Sequence, residues 1–438
     1  MRAIQVGLMG LGTVGAGVYE VLRRNQEEIK RRAGRGIELT MVSRRNIEAA
    51  RALVGDGIRV VADPREIIAN PDIAIVIELI GGTTIARDLV LAAIRAGKHV
   101  VTANKALLAV HGTEIFAAAR EHGVMVAFEA AVAGGIPIIK ALREGLSANR
   151  IEWVAGIING TTNFILSEMR SKGLDFADVL KEAQRLGYAE ADPTFDIEGI
   201  DAAHKATIMS AIAFGIPVQF DKAYVEGITK LSPTDIRYAE QLGYRIKLLG
   251  ITKRRDDAGG IELRVHPTLV PEKRLIANVE GAMNAVVVHG DAVGTALHYG
   301  KGAGAEPTAS AVIADLVDTT RLHTADPDHR VPHLAFQPGS LQDTRILPID
   351  QVVTSFYLRL QVADQAGVLA RITGILAEGN ISIDALLQRE SAEGEAQTDV
   401  IILTHATVEG RMNQAIAQMQ ALPTVLAPIV RIRKEELS

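Results

Sequence analysis

The 438-residue chain contains no cysteine. That excludes disulfides, thiolate metal sites and cysteine nucleophiles, and with them an aldehyde dehydrogenase that works through a covalent thioester. No apolar run reaches about 18 residues without a charge, glycine or proline, so no membrane span is expected. The N-terminal MRAIQVGLMG lacks the apolar core and cleavage signature of a secretion signal, so a soluble, cytoplasmic protein is expected. An excess of one charge is missing too. The net charge of -5 gives no electrostatic case for nucleic acid. The short basic run Lys253-Arg254-Arg255 is followed at once by Asp256-Asp257 and reads as a solvated hairpin tip. The histidines have no metal-ligand spacing, so no catalytic metal is expected. Internal repeats and low-complexity segments are also lacking.

What remains is ordinary globular composition, 48% hydrophobic and 23% charged, with a glycine excess of 40 residues. At about 150 residues per domain, the length suggests two to four domains. Apolar runs at residues 3–8, 37–43, 73–79, 99–102 and 124–128 read as buried strands, with helical patterns such as 14–30 and 86–96 between them. Uniformly apolar strands alternating with helices predict a parallel sheet covered on both faces. From about residue 137 the pattern changes to longer helices, 176–186 and 200–213, and then to strands at 245–252, 261–265, 284–289 and 296–299, an α+β arrangement. A helix at 307–322 follows the glycine-rich GKGAGAEP. Pro327, Pro332, Pro338 and Pro348 mark a linker, since proline blocks both helix and ladder. Beyond it TSFYLRLQV, GVLARITGILAEG, SIDALLQRE, TDVIILTHA, RMNQAIAQMQAL and VLAPIVRIR read as a ferredoxin-like βαββαβ module.

Seven stretches carry candidate chemistry. After the first strand, GLMGLGTVGAGV places Gly10, Gly12 and Gly15 in the G-x-G-x-x-G pattern, with Thr13 and Val14 opening a helix. This strand-turn-helix context is what a dinucleotide pyrophosphate requires, and it marks a Rossmann-type doubly wound sheet. At the tip of the second strand, where an NAD-binding fold usually carries an acid, stand Ser43, Arg44 and Arg45. Two guanidinium groups suit a 2′-phosphate, so NADP is expected, with NAD as the alternative. ELIGGTT, VVTANKALL and FEAAVAGGIP fall where such a sheet presents its carboxyl ends, and the second sets Lys105 at a strand end. Asn159, Thr161, Thr162 and Asn163 of IINGTTNFIL read as helix caps. Finally, GYAEADPTFDIEGIDAAHK gathers Glu190, Asp192, Asp196, Glu198 and Asp201 ahead of Lys205. Asp201 and Lys205 share a helix face at four-residue spacing, which suits either a surface ion pair or a lysine held to move a proton.

GLGTVG, NKALL, EAAVAGGIP, NGTTNFIL, GYAEADPTFDIEGIDAAHK and GKGAGAEPTASAV together resemble homoserine dehydrogenase over roughly residues 1–325. The C-terminal DQAGVLARITGIL resembles an ACT domain, a small regulatory fold that often binds amino acids. The arrangement is similar to the monofunctional bacterial form. The resemblance implies reversible NAD(P)H-dependent reduction of L-aspartate 4-semialdehyde to L-homoserine, in threonine, methionine and isoleucine biosynthesis. It also implies Lys205 as proton donor with Asp201 beside it, and Glu190 on the substrate amino group. Asp196 and Lys105 are placed at the substrate, and Lys105 also at the nicotinamide. Thr83, Gly187 and Gly302 fall where the family contacts the cofactor, and Glu129 with Val132, Gly134 and Ile136 matches a structural Na+ or K+ site. The residues agree on chemistry: an alkoxide formed by hydride delivery needs a proton at once, and a lysine of lowered pKa is a natural acid.

The expected organisation is a nucleotide-binding domain at 1–136 completed by 300–322, a catalytic and dimerisation domain at 137–299, a linker at 323–350 and the regulatory module at 351–438. Expected partners are the two substrates, L-threonine as feedback ligand and further copies of the chain in a dimer or tetramer, with no nucleic acid or membrane. Removal of the module is expected to leave catalysis intact. The alternatives are a sensor of dinucleotide and amino acid without catalysis, and another amino-acid dehydrogenase on the same fold.

Overall fold

The computed structural model describes residues 2–388 and 396–437; Arg389 and Glu390, the end of the expected strand SIDALLQRE, lie outside the described residues. Six strands, β1 (Ile4–Met9), β2 (Ile37–Ser43), β3 (Arg59–Val61), β4 (Ile73–Glu78), β5 (His99–Thr102) and β6 (Val126–Ala127), form one parallel sheet in the order β3-β2-β1-β4-β5-β6. The central strands are buried almost throughout, as strands covered by helices on both faces must be. Strand order reverses between β1 and β4, which opens a crevice at their carboxyl ends. The expected helix 14–30 is in fact two, Thr13–Arg24 and Gln26–Ala33, separated at Asn25.

Helix Ala305–Leu322 returns to cover this sheet. Its Ala309, Val312 and Leu316 are buried with Val18 and Leu22 of helix Thr13–Arg24. Gly17 permits the approach, since a Cβ there would stand 2.6 Å from the Ala305 carbonyl oxygen. Arg24 closes the contact with two bonds to the Glu306 carboxylate, at 3.0 and 2.9 Å.

A second, mixed sheet begins with β7 (Ile151–Ile157), β8 (Tyr224–Val225), β9 (Tyr244–Arg255), β10 (Gly260–Pro271), β11 (Met283–Gly290) and β12 (Gly294–Lys301). Strand β7 was hidden in the sequence because both its faces are covered and IEWVAGI shows no alternation. The 253–255 run does sit at the β9–β10 hairpin, but its arginines are not free in solvent. Arg254 lies 5.1 Å over the Phe214 ring, and Arg255 bridges Asp257 and the buried Glu262 at 2.7 and 2.8 Å. Long arginine stems cover apolar surface while the head group finds partners.

The C-terminal strands β13 (Val353–Ala363), β14 (Ile383–Gln388), β15 (Gln397–Thr404), β16 (Thr407–Val408) and β17 (Val430–Lys434) continue this same sheet. Its path runs β12-β11-β7-β9-β10-β17-β13-β15-β14, with β17 parallel to β10 and Leu269 opposite Lys434. Helices Val368–Glu378 and Glu409–Gln420 cover one face, burying Ile372, Leu376, Met412 and Met419. The other face sends Tyr357, Ile401, Leu403 and Ile432 into one cluster with Leu231, Ile236 and Leu248. The module is therefore not the detachable unit expected from the sequence. Cutting at residue 350 would expose that apolar face and the edge of β10.

Buried charge ties the seam further. Asp235, fully buried, accepts from Arg359 at 2.6 and 3.1 Å and from the Tyr357 hydroxyl at 3.1 Å. Arg264 joins Glu262 and Glu435, and Arg433 joins Glu409 and Glu226. Removing one partner of a buried pair leaves an uncompensated charge, at a cost of about 3–5 kcal/mol. Arg359→Met should therefore lower unfolding free energy by about that much in urea titrations, and adding Asp235→Asn should recover most of it. Equal stability of the single variant and the parent would show that the pair bears no load.

Candidate active site

The glycine loop follows β1 directly. Gly10 adopts φ +99°, and a Cβ there would stand 2.6 Å from the Leu79 carbonyl oxygen, so only glycine fits. Gly15 packs against the Gly10 carbonyl, where a Cβ would come within 2.3 Å. Gly12 precedes helix Thr13–Arg24 without a side-chain cap, and a Cβ there would meet nothing within 4 Å. The first-turn N–H groups, including those of Thr13 and Val14, thus face open space in front of Gly12, a cradle of the shape a pyrophosphate fills. The Gly10 N–H donates to the Ser43 carbonyl at 3.3 Å, which brings Arg44 and the exposed Arg45 beside the loop. Among the described residues neither guanidinium makes an ion pair. These residues fit a nicotinamide dinucleotide.

The next two loops are locked by a network that the sequence reading missed. Glu78, fully buried at the end of β4, accepts from the Ile80 and Gly81 N–H groups at 2.8 and 3.0 Å and from the Thr102 hydroxyl at 2.7 Å. The Asn104 amide donates to the Gly82 carbonyl at 2.7 Å, while its oxygen caps helix Lys105–Glu121 at the Leu107 N–H, 3.1 Å away. Asn104 thereby fixes both the glycine turn before Thr83 and the start of the helix whose first residue is Lys105. The readable sign was a glutamate ending an apolar strand.

Lys105 reaches from the first sheet to the helix Ile200–Phe214 of the second part, where its ammonium meets Asp201 Oδ1 at 3.0 Å. The other oxygen, Oδ2, accepts from Lys205 at 2.7 Å and from the Asn159 amide at 2.8 Å. Lys205 also donates to the Ile158 carbonyl at 2.8 Å. This is no surface pair, since the Lys205 and Asp201 side chains are 11% and 5% exposed. Burial lowers the Lys205 pKa, against the Asp201 charge that raises it. Burial would raise the Asp201 pKa, but Lys205 and Lys105 outweigh it and hold the carboxyl below the usual carboxylate range. Asn159 also donates to Asp196 at 2.7 Å, and burial pushes the Asp196 carboxyl up. Asn159 does cap its helix, at the Thr162 N–H. The sequence showed only that role and not its bridge between two carboxylates 37 and 42 residues away.

His204 is also drawn in, contrary to its unremarkable place in the sequence. It packs between Phe195 and Phe220, and burial lowers its pKa to about 4, so it stays neutral. Lys105 lies 6.0 Å over the ring of Phe195. Glu190 and Gly187 lie on the exposed loop before Pro193, tied down by Thr161 to the Tyr188 carbonyl at 2.7 Å and by Gln184 to the Glu190 carbonyl at 3.1 Å. Among the described residues the Glu190 carboxylate makes no ion pair.

Gly302 crosses the 129–136 segment, whose Gly134 would bring a Cβ within 2.4 Å of the Gly302 carbonyl oxygen. Within that segment both Glu129 carboxylate oxygens are already engaged, by the Ile139 and Lys140 N–H groups at 2.8 and 2.9 Å. The Glu129 side chain thus accepts the first N–H groups of the short helix Ile138–Lys140. A monovalent cation here would draw on main-chain carbonyls of the turn through Val132, Gly134 and Ile136. Among the described residues no group of three or more His, Cys, Asp or Glu is placed to hold a metal ion, and no helix is long and apolar enough to cross a membrane.

Comparison with known proteins bears on this site. Family models for "Homoserine dehydrogenase, NAD binding domain", "Homoserine dehydrogenase" and "ACT domain" match residues 10–129, 137–317 and 356–424. A homoserine dehydrogenase of Pseudomonas aeruginosa is 61% identical over the full length of both chains. The solved homoserine dehydrogenase of Thiobacillus denitrificans is 66% identical, covering 100% of this chain and 99% of that one with a TM-score of 0.95. A hyperthermophilic archaeal homoserine dehydrogenase solved in complex with NADPH is 25% identical, covering 74% of this chain and 99% of its own, with a TM-score of 0.63.

The buried Asp201 needs both lysines. Replacing it with Asn leaves two ammonium groups facing each other across a desolvated space. Asp201→Asn should therefore lose about 3–5 kcal/mol of unfolding free energy, and Lys205→Met in the same chain should restore part of it. A single variant as stable as the parent in urea titrations would mean the ions are hydrated rather than mutually dependent.

Proposed function

The chain belongs to the homoserine dehydrogenase family of NAD(P)-dependent oxidoreductases acting on CH–OH groups, and from that premise we propose that it reversibly reduces L-aspartate 4-semialdehyde to L-homoserine with NADPH, using Lys205 as the proton donor. The observation that carries this reading is the buried Lys205 ammonium held between Asp201 and the Ile158 carbonyl. The dinucleotide, when bound, supplies the hydride. The chain's own groups supply the proton and the grip on the substrate. As the aldehyde CHO gains a hydride and becomes CH2–OH, its oxygen takes a proton from Lys205, whose ammonium becomes an amine. A pKa lowered by burial eases that transfer. Asp201 keeps the lysine aimed, and Lys105 balances the carboxylate that remains. Asp196 and Glu190 are the acids available for the substrate ammonium.

Several further assignments go with this reading. Arg44 and Arg45, without ion pairs among the described residues and beside the glycine loop, support a 2′-phosphate and hence NADP. The turn at 129–136 is proposed to hold Na+ or K+ in a structural role. The ACT fold supports feedback by an amino acid, with L-threonine as the candidate. Strand β12 ends the second sheet with Leu297 and Tyr299 exposed, which supports assembly into a dimer or tetramer. A sensor without catalysis would not need Lys105, Glu190, Asp201 and Lys205 together.

Lys205→Ala should reduce kcat by about 10²- to 10⁴-fold, the usual worth of a general acid, in an assay following NADPH absorbance with aspartate semialdehyde. Near-normal turnover would remove Lys205 from the role. In the parent, reduction should fail as pH rises through the Lys205 pKa, because only the ammonium can donate. The Asp201 charge raises that pKa, so Asp201→Asn should move the alkaline limb to lower pH.

Replacing Arg44 and Arg45 together by Ala should raise KM for NADPH at least tenfold while leaving NADH nearly unchanged, since only the 2′-phosphate loses partners. Equal losses with both cofactors would locate the adenosine elsewhere.

A further inference from the structure

We infer that Asn159 is a positioning residue that gives two carboxylates different tasks. It leaves Asp196 open to the substrate ammonium, commits Asp201 to the lysines, and fixes the distance between the two. The inference rests on the dehydrogenase reading above and deepens it. A helix N-cap needs only one side-chain oxygen, so capping alone leaves the rest of this side chain unexplained.

Asn159 is 4% exposed, and both ends of its amide are engaged twice. Its oxygen accepts from the Thr162 N–H at 2.8 Å and from the Thr162 hydroxyl at 2.9 Å. That settles which way the amide faces, because a main-chain N–H can only donate. The two amide hydrogens are then directed at two acids, Asp196 Oδ1 at 2.7 Å and Asp201 Oδ2 at 2.8 Å.

The acids are not equivalent. Asp201 is buried and already carries Lys105 on one oxygen and Lys205 on the other. Asp196, half-buried on the short helix Thr194–Ile197, makes no ion pair among the described residues. It has room for a cation, and the substrate brings one. From Asp196 through the Asn159 amide and Asp201 to the Lys205 ammonium, the successive contacts are 2.7, 2.8 and 2.7 Å. One planar amide thus holds the acceptor for the ammonium end at a short, fixed distance from the donor for the carbonyl oxygen. Such a gauge favours an amino aldehyde of one length, because a misplaced reacting carbon loses rate steeply.

The arrangement has a pH signature. Asn159 and Thr161 face Asp196 from one helix, Asp201 and Lys205 from another, while Lys105 of the first sheet meets Asp201 instead. Burial raises the Asp196 pKa most, the Asn159 amide opposes that, and the Asp201 charge adds to it. Without the amide, Asp196 keeps its proton to higher pH and grips no ammonium until it ionises.

Asn159→Ser and Asn159→Asp separate this role from capping, since serine and aspartate cap as well as asparagine. Serine is too short to reach either acid, and aspartate sets a third carboxylate against them. In the full-length chain, Asn159→Ser should lower kcat/KM for NADPH-dependent reduction of aspartate semialdehyde by about 10- to 100-fold and move its acid limb to higher pH. In the oxidation direction it should lose discrimination between L-homoserine and the one-carbon-longer L-2-amino-5-hydroxypentanoate. Asn159→Asp should move the acid and alkaline limbs of reduction upward together, because the added charge raises the pKa of Asp196 and of Lys205. Thr162→Val keeps the main-chain bond to the amide oxygen, loses the hydroxyl bond, and should show the Asn159→Ser changes at smaller size. Should Asn159→Ser fail to fold, the acid limb of Thr162→Val decides in the same way. An Asn159→Ser chain with the activity, selectivity and acid limb of the parent would reduce Asn159 to a cap and overturn the inference, leaving the dehydrogenase reading intact. A parent inactive on aspartate semialdehyde would sink that reading and this inference with it.

Discussion

The buried carboxylate of Asp201 is the point on which the molecule turns. A carboxylate so deeply enclosed cannot stand alone, since desolvation would neutralise it. It stays ionised because Lys205, one helical turn on, and Lys105, from the other sheet, each give it an ammonium. The ion triad is therefore a clasp between two parts of the chain. The carboxyl end of β5 must lie where Lys105 can span to the helix, which sets the width of the crevice.

Neutral amides do the aligning around this triad. Asn104 ties the glycine turn after β4 to the helix that Lys105 begins, and Asn159 holds Asp196 and Asp201 in one frame. An amide donates and accepts without adding charge, so it can sit beside ionised groups without shifting their balance through a net charge. The loops so aligned lie beside the glycine cradle, where Gly10 meets Leu79 and Ile80.

The second sheet extends the same logic outward. Because β17 pairs directly with β10, the C-terminal module shares backbone ladder, apolar core and buried charge with the catalytic half. A continuous sheet transmits displacement better than a flexible linker, since packed interiors deform little.

Read alone, the sequence determined the local features whose cause is local. Uniform apolar runs announced the parallel strands, the glycine spacing announced the cradle, and Asp201 and Lys205 four apart announced a shared helix face. Arg44 and Arg45 stood out because strand tips in this fold have a known use. Other features depended on neighbours distant in sequence. Strand β7 shows no alternation because both faces are covered, the break at Asn25 leaves the helical period intact on either side, and Glu78, Asn104 and Asn159 look like ordinary polar residues until their partners are folded around them. The module's detachability was misread for the same reason, because its six elements form a complete fold on paper while one face and one edge are finished only by β10. Tertiary structure alone decided that the Asp201–Lys205 pair is buried rather than solvated, since burial depends on what packs above the helix and on the arrival of Lys105 from the other sheet.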